Sequence, residues 1–136
     1  MNRTAVYEGG CLCGAIRYRV SGSCSPPALC HCQSCRRATG APVVAWVTFP
    51  EDAVSLLQGE PARRDSSPGV TRAFCARCGT PLSYRHADYP DSVDLTVCSF
   101  DQPEAFPPAD NIWLEHRIAW MADSDRLPGH PRNRQG

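Results

Sequence analysis

In the stretch Ala15-Ile16-Arg17-Tyr18-Arg19-Val20, apolar and charged side chains alternate from Ile16 to Val20. Successive side chains of an extended chain point to opposite faces, so Ile16, Tyr18 and Val20 share one face and Arg17 and Arg19 the other. This is a half-buried β-strand. Outward from it, short runs rich in Val, Thr and aromatics recur at residues 5–7, 43–49, 54–57, 71–74, 82–85, 93–100 and 112–115. Thirteen prolines and ten glycines interrupt any long helical pattern. The best helical candidate is one or two turns over residues 34–38, stopped by Gly40. The expected fold class is all-β. Its expected core is Ile16, Tyr18, Val20, Val44, Trp46, Val47, Phe49, Leu57, Phe74, Leu82, Tyr84, Leu95, Val97, Ile112 and Trp113, with Trp120 also read as core. Residues 60–71, with Pro61, Arg63, Arg64, Asp65, Pro68 and Gly69, read as a mobile surface loop. Residues 123–136, almost without apolar side chains, read as a flexible C-terminal tail after a single domain over 1–122.

Composition narrows the function. The chain has 136 residues, enough for one buried core. Its 14 cations are all Arg and are balanced by 14 carboxylates, giving a formal net charge of zero. That balance argues against broad attraction to nucleic acid or anionic lipid. With no Lys, Schiff-base and P-loop lysine chemistry are excluded. No apolar run reaches the roughly 18 residues of a membrane span, and none near the N-terminus resembles the core of a secretory signal. A soluble cytoplasmic protein, without membrane or nucleic-acid partners, is the expectation.

Nine cysteines carry the remaining information. Seven fall into three groups: Cys11-Leu12-Cys13, Cys30-His31-Cys32-Gln33-Ser34-Cys35 and Cys75-Ala76-Arg77-Cys78. Cys24 and Cys98 stand alone and read as small packed hydrophobes. In a reducing compartment such clusters point to metal ligands or catalytic groups before disulfides. In Cys75-Ala76-Arg77-Cys78-Gly79 two thiolates turn toward one metal while Gly79 permits a left-handed backbone. A redox C-x-x-C is disfavoured because no βαβ pattern surrounds it. The knuckle supplies two ligands, and Cys11 and Cys13, on one face of an extended segment, are the natural other pair. The expected result is a closed structural zinc site on Cys11, Cys13, Cys75 and Cys78.

Cys30, Cys32 and Cys35 offer three thiolates without an evident fourth, the ligand count of a catalytic zinc with an open position. Three thiolates leave such a centre at about −1, and an incoming thiol, deprotonated on coordination, is the natural fourth ligand. The alternative at this point is a second structural zinc completed by His31 or another histidine. His31 is expected to face away from the ligands and to fix the loop through a hydrogen bond. His86 and His116 have no motif context.

With their flanking residues the three clusters resemble the glutathione-dependent formaldehyde-activating enzyme family, to which centromere protein V-like domains also belong. The matching stretches are Gly9-Gly10-Cys11-Leu12-Cys13-Gly14, Cys30-His31-Cys32-Gln33-Ser34-Cys35-Arg36-Arg37-Ala38-Thr39-Gly40, Phe74-Cys75-Ala76-Arg77-Cys78-Gly79-Thr80-Pro81-Leu82 and the late Ile112-Trp113, in the family's order. Where the family often has His before that Ile-Trp pair, this chain has Asn111. The resemblance implies a small β-tent-like domain of curled antiparallel sheets around two zinc ions, with Cys30, Cys32 and Cys35 holding the catalytic one. It implies a carbon–sulfur lyase that interconverts S-hydroxymethylglutathione with glutathione and formaldehyde. Arg36 and Trp113 are the candidate substrate contacts, and a small thiol such as glutathione the candidate partner. Two other classes stand beside the enzyme: a non-catalytic zinc-stabilised binding module and a thiol redox sensor.

Overall fold

The computed structural model describes residues 5–135; the ends of the expected domain and tail, 1–4 and 136, lie outside them. In chain order the strands are β1 Val6–Gly10, β2 Arg17–Ser21, β3 Ala28–Cys30, β4 Val44–Pro50, β5 Val54–Gln58, β6 Ala62–Ser67, β7 Val70–Phe74, β8 Pro81–His86, β9 Ser92–Thr96 and β10 Asp110–Ile112. One α-helix, α1, spans Gln33–Thr39 and ends on Gly40 at φ 71°, the left-handed cap its sequence foretells.

Two sheets form. The first has the order β1-β2-β5 and the second β10-β3-β4-β9-β8-β7-β6. Pairing is antiparallel throughout except between β10 and β3, which run parallel. The alternation of β2 is realised as expected. Tyr18 and Val20 are buried, while Arg19 meets Glu8 and Arg17 forms a two-pronged pair with Asp101 at 2.9 and 2.5 Å. The main core joins Tyr18 and Val20 to Val47, Phe49, Val93, Leu95, Val97, Phe100 and Phe106. The last two are aromatics absent from the expected core. They enter because 3-10 turns at Val97–Ser99 and Pro103–Ala105 fold the chain inward after β9, so the expected strand over 93–100 ends at Thr96.

Other expectations are corrected. Residues 60–71 are largely a hairpin: β6 pairs β7 through a turn at Pro68-Gly69. β6 is the free edge of the larger sheet, and its outward Arg63, Arg64 and Asp65 are the charged side chains that guard such edges against pairing with another chain. Those charges made it read as a loop. Leu57, Ile112, Trp113 and Trp120 are exposed, the tryptophans at 53% and 60%. Leu57 lies on an otherwise exposed stretch of the outer strand β5, Ile112 on the three-residue edge strand β10, Trp113 at the cap between β10 and the 3-10 turn Leu114–His116, and Trp120 in the 3-10 segment Ala119–Arg126. Cys98 is exposed, whereas Cys24 packs against the main core. The 3-10 turns of Ala119–Arg126 carry the chain across residues 122 and 123. No helix among the described residues is long and apolar enough to cross a membrane.

Candidate functional site

Two cysteine clusters form, each with its sulfurs within 4.8 Å of one another. Cys11 and Cys13 leave the end of β1, and Cys75 and Cys78 lie in the β7–β8 turn, where Gly79 takes φ 84°. The Sγ separations are 3.6 Å for Cys11–Cys13 and 3.8 Å for Cys13–Cys75. Zinc–sulfur bonds of about 2.3 Å in a tetrahedron set ligand edges of about 3.8 Å, so these sulfurs fit a zinc ion. Backbone N–H groups also converge on them. Ile16 N–H donates to Cys11 Sγ, and the N–H groups of Arg77 and Cys78 donate to Cys75 Sγ. Donors aimed at sulfur favour the thiolate. The Thr80 hydroxyl beside Cys78 helps hold that thiol down to about 5.

The second cluster is built by β3 and α1. Cys30 ends β3, Cys32 caps α1 by accepting the Cys35 N–H on its sulfur at 3.2 Å, and Cys35 returns from the first helical turn. Cys30 and Cys35 Sγ are 3.7 Å apart, again a tetrahedral edge. The Cys30 thiol donates to Cys35, and with Cys32 and the Arg72 guanidinium it holds Cys35 down to about 5 against burial. The same bond pushes Cys30 up. Among the described residues no fourth ligand joins this cluster. His31 is buried outside it, and its Nε2 donates to Asn111 Oδ1 at 2.9 Å, tying β3 to β10. The expected loop-fixing role matches this contact.

All three sulfur-bearing residues line a cavity of about 360 Å³. Its walls include Trp46, Tyr84, Trp113 and His116, and its polar groups include Arg72, Asp94 and Thr48. Thr48 donates its hydroxyl to Asp94 Oδ1 at 2.6 Å, and burial pushes the Asp94 carboxyl above its usual value. His116 Nδ1 accepts the Gln33 N–H at 3.3 Å, and its ring lies 5.1 Å from that of Trp113. Trp113 has φ 60°, the one left-handed non-glycine among the described residues, which places a strained residue at this cavity. Arg36 does not line the cavity, and its buried Nε has no hydrogen-bond partner among the described residues.

Sequence reading brought the cysteines and Trp113 together but missed Arg72, Asp94 and His116 and took Tyr84 for core. They reach the site from separate strands and from a 3-10 turn, and local spacing carries no signal of that.

The comparison that decides kinship is a family model described as "Glutathione-dependent formaldehyde-activating enzyme", which matches residues 6–116. The chain belongs to this family. An uncharacterized lyase of Schizosaccharomyces pombe is 27% identical over 115 residues, covering 74% of this chain and 83% of that protein. A Halomonas elongata protein, provisionally named a glutathione-dependent formaldehyde-activating enzyme, is 30% identical over 132 residues, covering 89% of this chain and 83% of its own. A crystal structure of a Rhodobacter sphaeroides protein shares the fold, with a TM-score of 0.62 at 19% identity over 76% of this chain and 98% of the other. Family, two-sheet β architecture and paired cysteine clusters thus agree with the resemblance read from the sequence.

Proposed function

We propose that the chain is a zinc-dependent carbon–sulfur lyase acting on the adduct of a small thiol, such as glutathione, with an aldehyde, of the S-hydroxymethylglutathione type. Cys11, Cys13, Cys75 and Cys78 hold a structural zinc, and Cys30, Cys32 and Cys35 hold a catalytic one. The observation that carries this reading is the contrast between the clusters: four sulfurs gather within 4.8 Å of one another at the first, whereas at the second three cysteines line a cavity. Structural zinc sites are closed by four protein ligands, and catalytic sites keep a position open. A zinc ion held by the three sulfurs would supply that open position and would stabilise the departing sulfur as thiolate at neutral pH.

The chain's own groups do the rest. Trp46, Tyr84 and Trp113 wall a space of small-molecule size and limit water around the adduct. Asp94 is the one carboxylate lining that space among the described residues. It takes the hydroxyl proton as the carbon–oxygen bond becomes a carbonyl and the carbon–sulfur bond breaks, its electron pair leaving on sulfur. His116, whose Nδ1 lone pair is held by the Gln33 N–H, presents an Nε2 proton to the carbonyl oxygen. In the reverse direction Asp94 returns the proton as thiolate adds to the aldehyde.

Zinc-loaded protein incubated with S-hydroxymethylglutathione and with formaldehyde adducts of smaller thiols tests the reading. Acceleration that disappears in Cys32→Ser is expected; its absence across the panel overturns the assignment. The exposed Trp113, Leu114, Trp120 and Leu127 favour the second reading, a zinc-stabilised binding module. That module predicts full zinc occupancy with no turnover on any adduct.

A further inference from the structure

Arg72 differs from the other half-buried arginines of the sheets. Arg17 and Arg85 each meet a carboxylate. Arg72, half-buried on β7, forms no ion pair with a carboxylate among the described residues. Its Nε donates to Ser66 Oγ at 3.1 Å, and its guanidinium carbon lies 5.1 Å from the centre of the Tyr84 ring. These contacts aim Nη1 and Nη2 at Cys35 Sγ, each at 3.9 Å. The register explains the placement. Arg72 stands opposite Tyr84, Tyr84 opposite Asp94, and Asp94 opposite Thr48, a row that crosses four strands and lines the cavity of the three sulfurs.

A divalent ion on three thiolates carries a net charge of about −1. A fourth ligand arriving as an anion is then repelled by the site that must hold it. A guanidinium fixed against one of the sulfurs brings the total to zero. Its two Nη groups, both aimed at that sulfur, place the positive charge where the negative charge of the centre lies. Lys would keep the charge without the fork.

We propose that Arg72 is the positioning residue that neutralises the Cys30, Cys32 and Cys35 centre and so selects an anionic fourth ligand, a thiolate, over a neutral one. The proposal rests on the reading of that cluster as a metal centre and is independent of turnover. The test uses the whole chain as wild type, Arg72→Gln and Arg72→Lys. Zinc affinity is measured by chelator competition, and the Cys32→Ser background, with and without Arg72→Gln, reports the four-cysteine site alone. The cobalt(II)-loaded proteins are then titrated with 2-mercaptoethanol and with imidazole, followed by their absorption spectra.

In Arg72→Gln the three-cysteine site is expected to lose about 10–100-fold in zinc affinity, the usual cost of removing an outer-shell partner. Mercaptoethanol binding falls with it, while imidazole binding and the four-cysteine site are unchanged, and Arg72→Lys recovers part of the loss. Arg72→Gln indistinguishable from wild type overturns the proposal, as does an equal loss of mercaptoethanol and imidazole, which marks a merely structural role. If Arg72→Gln does not fold, Arg72→Lys carries the comparison, and a wild-type preference in it for mercaptoethanol over imidazole confirms that charge suffices, whereas equal loss of both overturns the claim. A wild type that binds one zinc ion removes the metal reading together with this inference; two ions with no effect at Arg72 remove this inference alone.

Discussion

Asp94 lies 46 residues from Thr48 in the chain, yet its carboxylate accepts the Thr48 hydroxyl. Burial first, and the nearby Cys35 charge, raise its pKa above the ordinary 3.8, against the pull of that hydrogen bond. The folded chain then holds a proton that the unfolded chain has released, so stability falls as pH rises through the interval between the two values. Asp94→Asn keeps an acceptor for Thr48 and removes the buried charge. It is expected to be more stable than wild type at neutral pH, with the gain shrinking as pH falls toward the unfolded value, and to lose turnover; denaturant unfolding with excess zinc along the acid limb checks the sign. At this scale the sequence spoke clearly only where chemistry is local. Cys30, Cys32 and Cys35 lie within six residues, and Cys75 and Cys78 within four, so their spacing announces them. Arg72, Tyr84 and Asp94 come together through strand register, and nothing adjacent to any of them in sequence marks it as a site residue.

Among the elements, the alternation of β2 and the short Val-rich runs revealed most strands, because one face of each is buried. Three strands of the larger sheet were hidden. β6 is charged and outward-facing, and β3 and β10 are three residues each, too short for a periodic signal. Since β6 has β7 on one side only, alternate amides of Ala62–Ser67 are expected to resist hydrogen exchange; uniformly fast exchange would return the segment to a loop. The core between the sheets depends on Phe106, 1% exposed and ringed by Tyr7, Phe49 and Phe100 at 4.4 to 6.1 Å between centroids. Phe106→Ala is expected to cost about 3–5 kcal/mol, read from denaturant unfolding, because it opens a cavity where both sheets meet.

For the molecule as a whole, the two clusters differ in what they close. Cys13 and Cys75 are 62 residues apart, so a metal there ties the small sheet to the β7–β8 turn across nearly half the chain. Structural zinc binding is worth about 10–16 kcal/mol in small peptides, as large as the roughly 5–15 kcal/mol that stabilises an ordinary domain. Cys30 and Cys35 are 5 residues apart and bracket a single turn, so a metal there closes almost no loop. On the proposed function, a metal at the four-cysteine cluster serves folding and one at the three-cysteine cluster serves the cavity. Zinc content per folded chain, determined for wild type, Cys13→Ser and Cys32→Ser, tests this most directly. Two ions in wild type, one in a folded Cys32→Ser protein and an unfolded Cys13→Ser protein are predicted; a single ion in wild type, or a Cys32→Ser protein that unfolds as Cys13→Ser does, would contradict it.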